Sequence, residues 1–213
     1  MSDVSHETLL FERWPEAAEN LKKFHDFLCT AGVERGLLGP REIPRMWSRH
    51  IANSVVIESL IPQNASVVDV GSGAGLPGIP LAIVRPDLKV TLLEPLARRV
   101  SFLEEAVEVL NLSSTVDILR ARAEDVKDRQ WDVVTGRAVA NLNKFLKLTW
   151  KLVSPQGQLL PLKGEQATSE LAEAQGFLTK RGLKGEVLQV GEGLIEPDTT
   201  VIQIRLDSGR LGS

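Results

Sequence analysis

Tyrosine is absent from the 213 residues, cysteine occurs once, methionine twice, and aromatic residues make up only 5%. The single thiol, Cys29, excludes an internal disulfide and any zinc site built on several cysteines, and it suits a reducing compartment. Its apolar surroundings mark it as a packed core thiol. No run of about 18 apolar residues occurs, so no membrane-spanning helix and no membrane partner are expected. Asp3, Glu7 and Glu12 make the start acidic where secretory and transit peptides are basic, and a cytoplasmic location is expected. The scarcity of aromatics leaves Phe145, Trp47 or a histidine to stack on a nucleobase. The phosphate-loop pattern G-x-x-x-x-G-K-[ST] is missing, which removes support for an ATPase. Neither charge dominates: 25 Lys and Arg stand against 28 Asp and Glu, a net charge of −3. Indiscriminate nucleic-acid binding is therefore disfavoured, and local patches decide.

What is present is a soluble-protein composition, 43% hydrophobic and 25% charged, in a chain long enough for one domain with an appendage. Its most informative run is Val67-Val68-Asp69-Val70-Gly71-Ser72-Gly73-Ala74-Gly75-Leu76-Pro77-Gly78. This reads as a buried strand entering a glycine loop and then a helix. Glycines admit positive φ and let a ligand approach the backbone. The next expected strand, Lys89 to Leu93, ends in Glu94, about 20 residues on, where α/β cofactor folds place a ribose-binding carboxylate.

Charge separates the two cofactor classes that use such loops. A dinucleotide brings an anionic pyrophosphate, whereas S-adenosylmethionine brings a sulfonium, an ammonium and one carboxylate. From Gly71 the dinucleotide pattern G-x-G-x-x-G fails at Leu76. From Gly73 it matches through Gly75 and Gly78, but Pro77 and Pro80 remove donors from the turn that would hold phosphate. Asp69 would repel a pyrophosphate and balance a cationic methionine end; its alternative role is a helix or turn cap. The methyl donor is favoured, and a nicotinamide oxidoreductase remains an alternative.

Along the chain, Trp14, Ala17, Ala18, Leu21, Phe24, Phe27 and Leu28 predict an amphipathic helix over 14–31, ended by Gly32. A loop follows at 36–40, and Pro44 is expected to open a helix running to about Leu60. Residues 1–60 thus form a helical extension, 61–207 the core and 208–213 a flexible tail, in a single compact unit. From Ser66 strands and helices alternate, the signature of a parallel sheet. Further strands are expected at Val116 to Leu119, Asp132 to Thr135, Gln158 to Leu162, Gly185 to Val190 and Thr200 to Arg205, seven in all. The last two are too closely spaced for a crossover and should pair antiparallel. Helices are expected near 140–153 and 165–181. After Glu94, Leu96, Val100, Leu103, Val107 and Leu110 form the apolar stripe of another.

The loop with its G-L-P-G-I-P extension, L-L-E-P at 92–95, A-E at 123–124, G-R-A at 136–138, L-K-G at 162–164 and R-H-I at 49–51 follow one another in an order that carries a resemblance. Over roughly residues 45–205 the chain resembles the small-subunit ribosomal RNA guanine-N7 methyltransferases, also called glucose-inhibited division protein B. The resemblance implies a class I, Rossmann-like methyltransferase: a seven-stranded, mostly parallel sheet with one antiparallel strand, helices on both faces and an N-terminal helical part. It implies S-adenosylmethionine as cofactor, held by Gly71, Leu76, Ala123, Glu124 and Arg137, with Glu94 on the ribose. The fingerprint itself adds Asp69, Gly73 and Gly75. Expected partners are 16S ribosomal RNA or a small-subunit precursor, bound by a monomer. In two places the chain departs from relatives: 36–42 replaces an Asn-Leu-Thr stretch, and Asn53 stands where they often carry Asp.

Guanine N7 already exposes a lone pair, so methylating it needs no general base, and positioning can carry the reaction. Arg137, Lys163 and His50 are the candidates for that work. Arg137 is expected to brace a carboxylate or phosphate through its fork, its alternative being a surface ion pair. Lys163 is expected to reach RNA phosphate or to be an exposed strand-end lysine, and His50 to meet the flipped base or to be a partly buried structural histidine. Arg41, Arg45 and Arg49, with Arg35 nearby, make 35–50 locally basic, and Lys144, Lys147 and Lys151 form a second cluster. Both are RNA-binding candidates whose alternative is a solvated face. A cysteine-dependent pyrimidine methyltransferase is excluded by the position of Cys29. An exocyclic-amine target is disfavoured because Thr135-Gly136-Arg137-Ala138 replaces the Asn or Asp-Pro-Pro-aromatic motif. A non-catalytic RNA-binding protein that retains the cofactor fold is the remaining alternative.

Overall fold

The structure is a computed structural model that describes residues 3–137 and 141–207. Ala138, the end of the G-R-A motif, and the expected tail at 208–213 lie outside the described residues.

Seven strands form one sheet in the order β3-β2-β1-β4-β5-β7-β6. They are β1 (Ser66–Val70), β2 (Lys89–Leu93), β3 (Val116–Leu119), β4 (Trp131–Arg137), β5 (Val153–Lys163), β6 (Leu183–Val190) and β7 (Thr199–Leu206). β7 runs against both its neighbours, with Val190 opposite Thr199 across the hairpin, and the other neighbouring pairs are parallel. The chain order reverses between β1 and β4, and at such a switch point the carboxyl ends of the strands leave a crevice for ligands.

The period of the strands sorts their side chains into two cores. Val67, Val90, Leu92, Val133 and Leu160 face the N-terminal helices, α4 (Gly78–Val84) and α5 (Ala97–Val109). Val68, Val70, Leu93, Val134 and Leu159 face α6 (Leu142–Thr149) and α7 (Ala167–Lys180). Phe24 and Phe102 on the first face and Phe145 on the second are fully buried, each contributing about 2 kcal/mol by leaving water. The N-terminal helices share one continuous core with the sheet. Arg85 fastens their end: it forks onto Asp87 and donates to the carbonyls of Glu58, Ile61 and Pro62.

The helical extension differs from expectation in its divisions. The predicted helix over 14–31 opens as a 3₁₀ turn (Pro15–Ala17) and continues as α2 (Ala18–Phe27), and a separate helix that was not expected, α1 (Asp3–Arg13), precedes it. Gly32 does not end α2, which widens into a π turn at Leu28–Gly32 and remains helical to Glu34. The stop is Gly36, at φ +67, where Gly36 N–H donates to the Val33 carbonyl and Leu37 N–H to that of Gly32. That pattern needs a left-handed residue, which glycine supplies. The second helical run opens at Pro40, not Pro44, and passes from a 3₁₀ turn (Pro40–Arg45) through a π turn (Met46–Ala52) and the short α3 (Asn53–Val55) into a last 3₁₀ turn (Val56–Leu60).

Two other expectations change. β5 begins at Val153, not Gln158, because Trp131 pairs with Val153 while Val133 pairs with Gln158, so β5 bulges there and takes in Pro155. Proline is tolerated at such a bulge and masks the strand in the sequence. Leu96 does not join the stripe of α5. It precedes the helix and is 45% exposed at the carboxyl edge of β2.

Candidate active site

The loop after β1 is tied down by its own amides. Gly71 and Ser72 N–H donate to the Leu93 carbonyl, Gly75 and Leu76 N–H to that of Ser72, and Ile79 N–H to that of Gly75. Gly73 N–H donates to Glu94 Oε2 at 3.0 Å, and Leu96 N–H to Glu94 Oε1 at 3.0 Å. Glu94 is 1% exposed and also lies 3.5 Å from Arg99 Nη1. It therefore clamps the glycine loop to the start of α5, with acceptor capacity left on Oε1.

Gly71, Gly73 and Gly75 all have positive φ, but they do different work. A Cβ on Gly75 would fall 2.4 Å from Ile79 Cδ1, whereas on Gly73 it would meet nothing closer than the Gly71 carbonyl at 3.7 Å. Gly75 is packed inward and Gly73 lines open space. Leu76 is buried in the core of the first face.

Asp69 decides between the cofactor classes. It is fully buried, and its Oδ2 accepts Gly78 N–H at 3.0 Å, so the carboxylate caps the N-terminus of α4. Asp69 therefore acts as a cap, buried behind the glycine loop. Its Oδ1 has no hydrogen-bond partner. Burial pushes its pKa up to about 7, against the pull of Gly78 N–H. A pyrophosphate would need the helix terminus that Asp69 occupies and the loop amides already spent on the protein. The glycine register from 73 to 78 thus has a packing cause: Gly78, like Gly75, has no room for a side chain, with Leu92 Cδ2 only 2.4 Å from the site of its Cβ.

Comparison with known proteins agrees. Residues 17–194 match the family GidB, rRNA small subunit methyltransferase G. The ribosomal RNA small subunit methyltransferase G of Streptomyces avermitilis is 49% identical over 187 residues, 86% of this chain and 78% of the relative. That of Thermobifida fusca is 49% identical over 205 residues, 95% and 84% of the two chains. The chain belongs to the GidB family. Its fold is shared more widely: a SAM-dependent methyltransferase from Aquifex aeolicus superposes with a TM-score of 0.55 at 20% identity, over 76% of this chain and 92% of the other. M. jannaschii TYW2, solved in complex with AdoMet, gives 0.56 at 23% identity over 75% of each.

In this GidB member Arg137, at the carboxyl end of β4, makes no surface ion pair among the described residues. Its Nη1 donates to the carbonyls of Arg49 at 3.2 Å and His50 at 3.5 Å, and its Nη2 lies 2.9 Å from His50 Nδ1. Withdrawal from water pushes its pKa down to about 10, so it stays charged at neutral pH. His50 is 7% exposed, and its Nε2 lies 2.8 Å from Glu42 Oε2. Both ring nitrogens of His50 thus have protein partners.

Lys163 is not an exposed strand-end lysine. Its side chain is 8% exposed and its ammonium is 2.8 Å from Glu170 Oε2, which also accepts Leu142 N–H. Ala123 is buried and Glu124 exposed in a 3₁₀ turn just beyond the carboxyl end of β3, on the edge of the sheet that carries the loop.

The basic stretch is weaker than its sequence suggests. Glu42 pairs with Arg45 at 2.8 Å and lies 3.7 Å from Arg49, while Arg35 is taken by Glu105. Arg41 and Lys144 are exposed. The aromatic stacking candidates are packed into the core: Phe145 is buried, and Trp47 is buried against His25 at 4.5 Å and Phe11 at 5.6 Å. Cys29 is half-buried beside His25 at 3.7 Å.

A cleft of about 810 Å³ runs from Arg49 and Asn53 past Lys163 and Glu165 to Thr199, and Thr199 Oγ1 donates to Asn53 Oδ1 across its end. A cavity of about 440 Å³ lies at the opposite edge, around Trp150 and Arg181, and is lined by Lys151 of the second basic cluster but by none of the cofactor candidates. Glu42, Arg99 and Asn53 were not marked as site residues by sequence. Asn53 and Glu42, the latter at the end of the 36–42 stretch, left a signal there, as departures from the relatives. Among the described residues no group of three or more His, Cys, Asp or Glu could hold a metal, and no helix is long and apolar enough to cross a membrane.

Proposed function

We propose that the chain transfers the methyl group of S-adenosylmethionine to N7 of a guanosine in 16S ribosomal RNA or its small-subunit precursor. The capping of α4 by Asp69, which takes the helix terminus that the pyrophosphate of a dinucleotide would need, carries this reading. The residues present fit the donor. Gly73 offers an open cradle, Glu94 keeps acceptor capacity for a ribose hydroxyl, and Asp69 holds an unpaired oxygen behind the loop. S-adenosylmethionine supplies a methyl group on positively charged sulfur. Gly71 and Gly73 admit it to the backbone, while Leu76 and Gly75 keep the loop packed from behind. Ala123 and Glu124 lie on the same edge of the sheet, available to its adenine end.

Arg137 retains N–H donors beyond those given to Arg49 and His50, and these would fix the donor's carboxylate or the RNA. No side chain has to remove a proton, because N7 attacks with a lone pair it already carries. Holding the reactants in line is the chain's contribution, of order 7 kcal/mol in favourable cases. Arg41, Arg45, Arg49 and Lys144 would meet phosphates. The test is a nucleoside map of small-subunit RNA from cells lacking the protein. A single missing 7-methylguanosine, restored by the purified protein with S-adenosylmethionine, is expected; an unchanged map contradicts the proposal.

Asp69 couples binding to pH. Its carboxyl titrates near 7 when folded and near 3.8 when exposed. The stability it contributes is complete below about pH 4 and falls as pH rises to about 7, by on the order of 4 kcal/mol. A sulfonium nearby favours the ionised form. Affinity for S-adenosylmethionine should therefore rise toward pH 7 and level off above it, while affinity for uncharged-sulfur S-adenosylhomocysteine stays flat. Calorimetry from pH 5.5 to 8.5 on the wild type and Asp69→Asn checks this. Parallel pH profiles for both ligands in the wild type would disprove the coupling.

A further inference from the structure

The Arg137 contacts contain a constraint that the proposed reaction does not by itself require. A guanidinium only donates hydrogen bonds, so with Arg137 Nη2 at 2.9 Å from His50 Nδ1, that nitrogen must present its lone pair. The ring proton of a neutral histidine then sits on Nε2, which points at Glu42 Oε2, 2.8 Å away. Each partner demands the same tautomer. Doubly protonated His50 would turn an N–H against the guanidinium and break the chain.

The backbone around it is pinned as well. Arg137 Nη1 takes the Arg49 and His50 carbonyls inside the π turn Met46–Ala52, and Asp3 of α1 accepts Trp47 N–H at 3.1 Å and Ser48 N–H at 2.7 Å at its start. Single π turns interrupting helices recur at functional sites.

We propose that Glu42 and His50 are positioning residues for methyl transfer, which by fixing the histidine tautomer hold the Arg137 guanidinium in place at the carboxyl edge of β4. This rests on the function proposed above. The groups facing His50 are Glu42 from the turn Pro40–Arg45, Arg49 from its own turn and Arg137 from β4, with Asp69 acting on Arg137 from behind. Burial and the Arg137 charge push the His50 pKa down, and Glu42 pulls it back up. The hydrogen bond from His50 keeps Glu42 below the usual carboxylate range, so it is an ionised acceptor at neutral pH. Neutral His50, and with it a held Arg137, is the state at working pH.

Two amides separate the two halves of the histidine. In His50→Asn the amide oxygen takes the place of Nδ1 and can still accept from Arg137. In His50→Gln the amide nitrogen takes the place of Nε2 and keeps only the bond to Glu42. With ribosomal RNA from cells lacking the protein as substrate, His50→Ala should lower kcat/KM by at least about tenfold, or roughly 1.4 kcal/mol. Asn should recover most of that loss and Gln should not, at matched melting temperatures. Glu42→Gln should move the acid limb of the kcat/KM profile to lower pH, because removing the carboxylate makes His50 harder to protonate. A merely structural tether would not move that limb.

Nitrogen-15 shifts of the His50 ring, assigned by their loss in His50→Gln, read the tautomer without any activity. Protonation at Nε2 at neutral pH is expected; protonation at Nδ1 overturns the inference. So does an Asn variant no better than Ala, or an acid limb that stays in place in Glu42→Gln. A wild type that neither binds S-adenosylmethionine nor methylates RNA, yet shows the Nε2 tautomer, overturns the proposed function and with it the catalytic part of this inference.

Discussion

Replacing Glu94 with alanine is expected to weaken S-adenosylmethionine binding by about 100-fold, roughly 2.8 kcal/mol. The reason lies in what the carboxylate already holds before any ligand arrives. Gly73 N–H, Leu96 N–H and the Arg99 guanidinium converge on a side chain that is 1% exposed. Without it, two backbone donors lose their partner and the loop loses its link to α5, in addition to any bond the carboxylate gives the ribose. Glutamine should fall between, because its amide can accept from one of these donors but turns N–H groups toward the other. Isothermal titration on proteins whose melting curves show them folded measures the effect. An alanine variant that binds within threefold of wild type would mean that Glu94 only holds the loop and that the loop needs no holding.

The second large effect divides the glycines. In Gly75→Ala the new Cβ meets Ile79 at 2.4 Å on a residue whose φ is +86. Overpacking and a left-handed backbone together cost about 3 kcal/mol, a fall of roughly 6–12 °C in melting temperature for a chain this size. In Gly73→Ala the Cβ enters open space, so only the backbone term of about 1 kcal/mol remains. Donor affinity, in contrast, should suffer directly at Gly73. Thermal melts and titrations of the two variants should therefore rank them oppositely. Equal melting temperatures would show that Ile79 yields without cost.

The sheet could be read from sequence because its strands are short apolar runs with turn residues between them. Lys89–Leu93 and Val116–Leu119 have the expected ends, and the close spacing of β6 and β7 foretold their antiparallel pairing. β5 was half hidden by Pro155, since a bulge is a tertiary arrangement with no local pattern. The helical extension was read least well. Its 3₁₀ and π turns break the regular period on which helix recognition depends, and the stop passed from Gly32 to Gly36 because only the latter takes the left-handed conformation.

At the site, the loop and Glu94 were visible because backbone geometry restricts residue choice there. Arg137 was visible through its motif, but its partners, Arg49 and His50, lie nearly ninety positions away and no spacing rule joins them. The partners of Lys163 and Trp47 were hidden for a common reason: a sequence shows which side chains could reach a ligand, and only packing shows that Glu170 lies against the one and His25 against the other.

The central claim is that the glycine loop after β1, with Glu94 at the end of β2, accepts a cationic methyl donor and refuses a diphosphate. Calorimetric titration of the purified protein with S-adenosylmethionine and, separately, with NADH tests it most directly. Saturable micromolar binding of the first and no heat from the second is predicted. Binding of NADH, or silence toward both, would contradict the account.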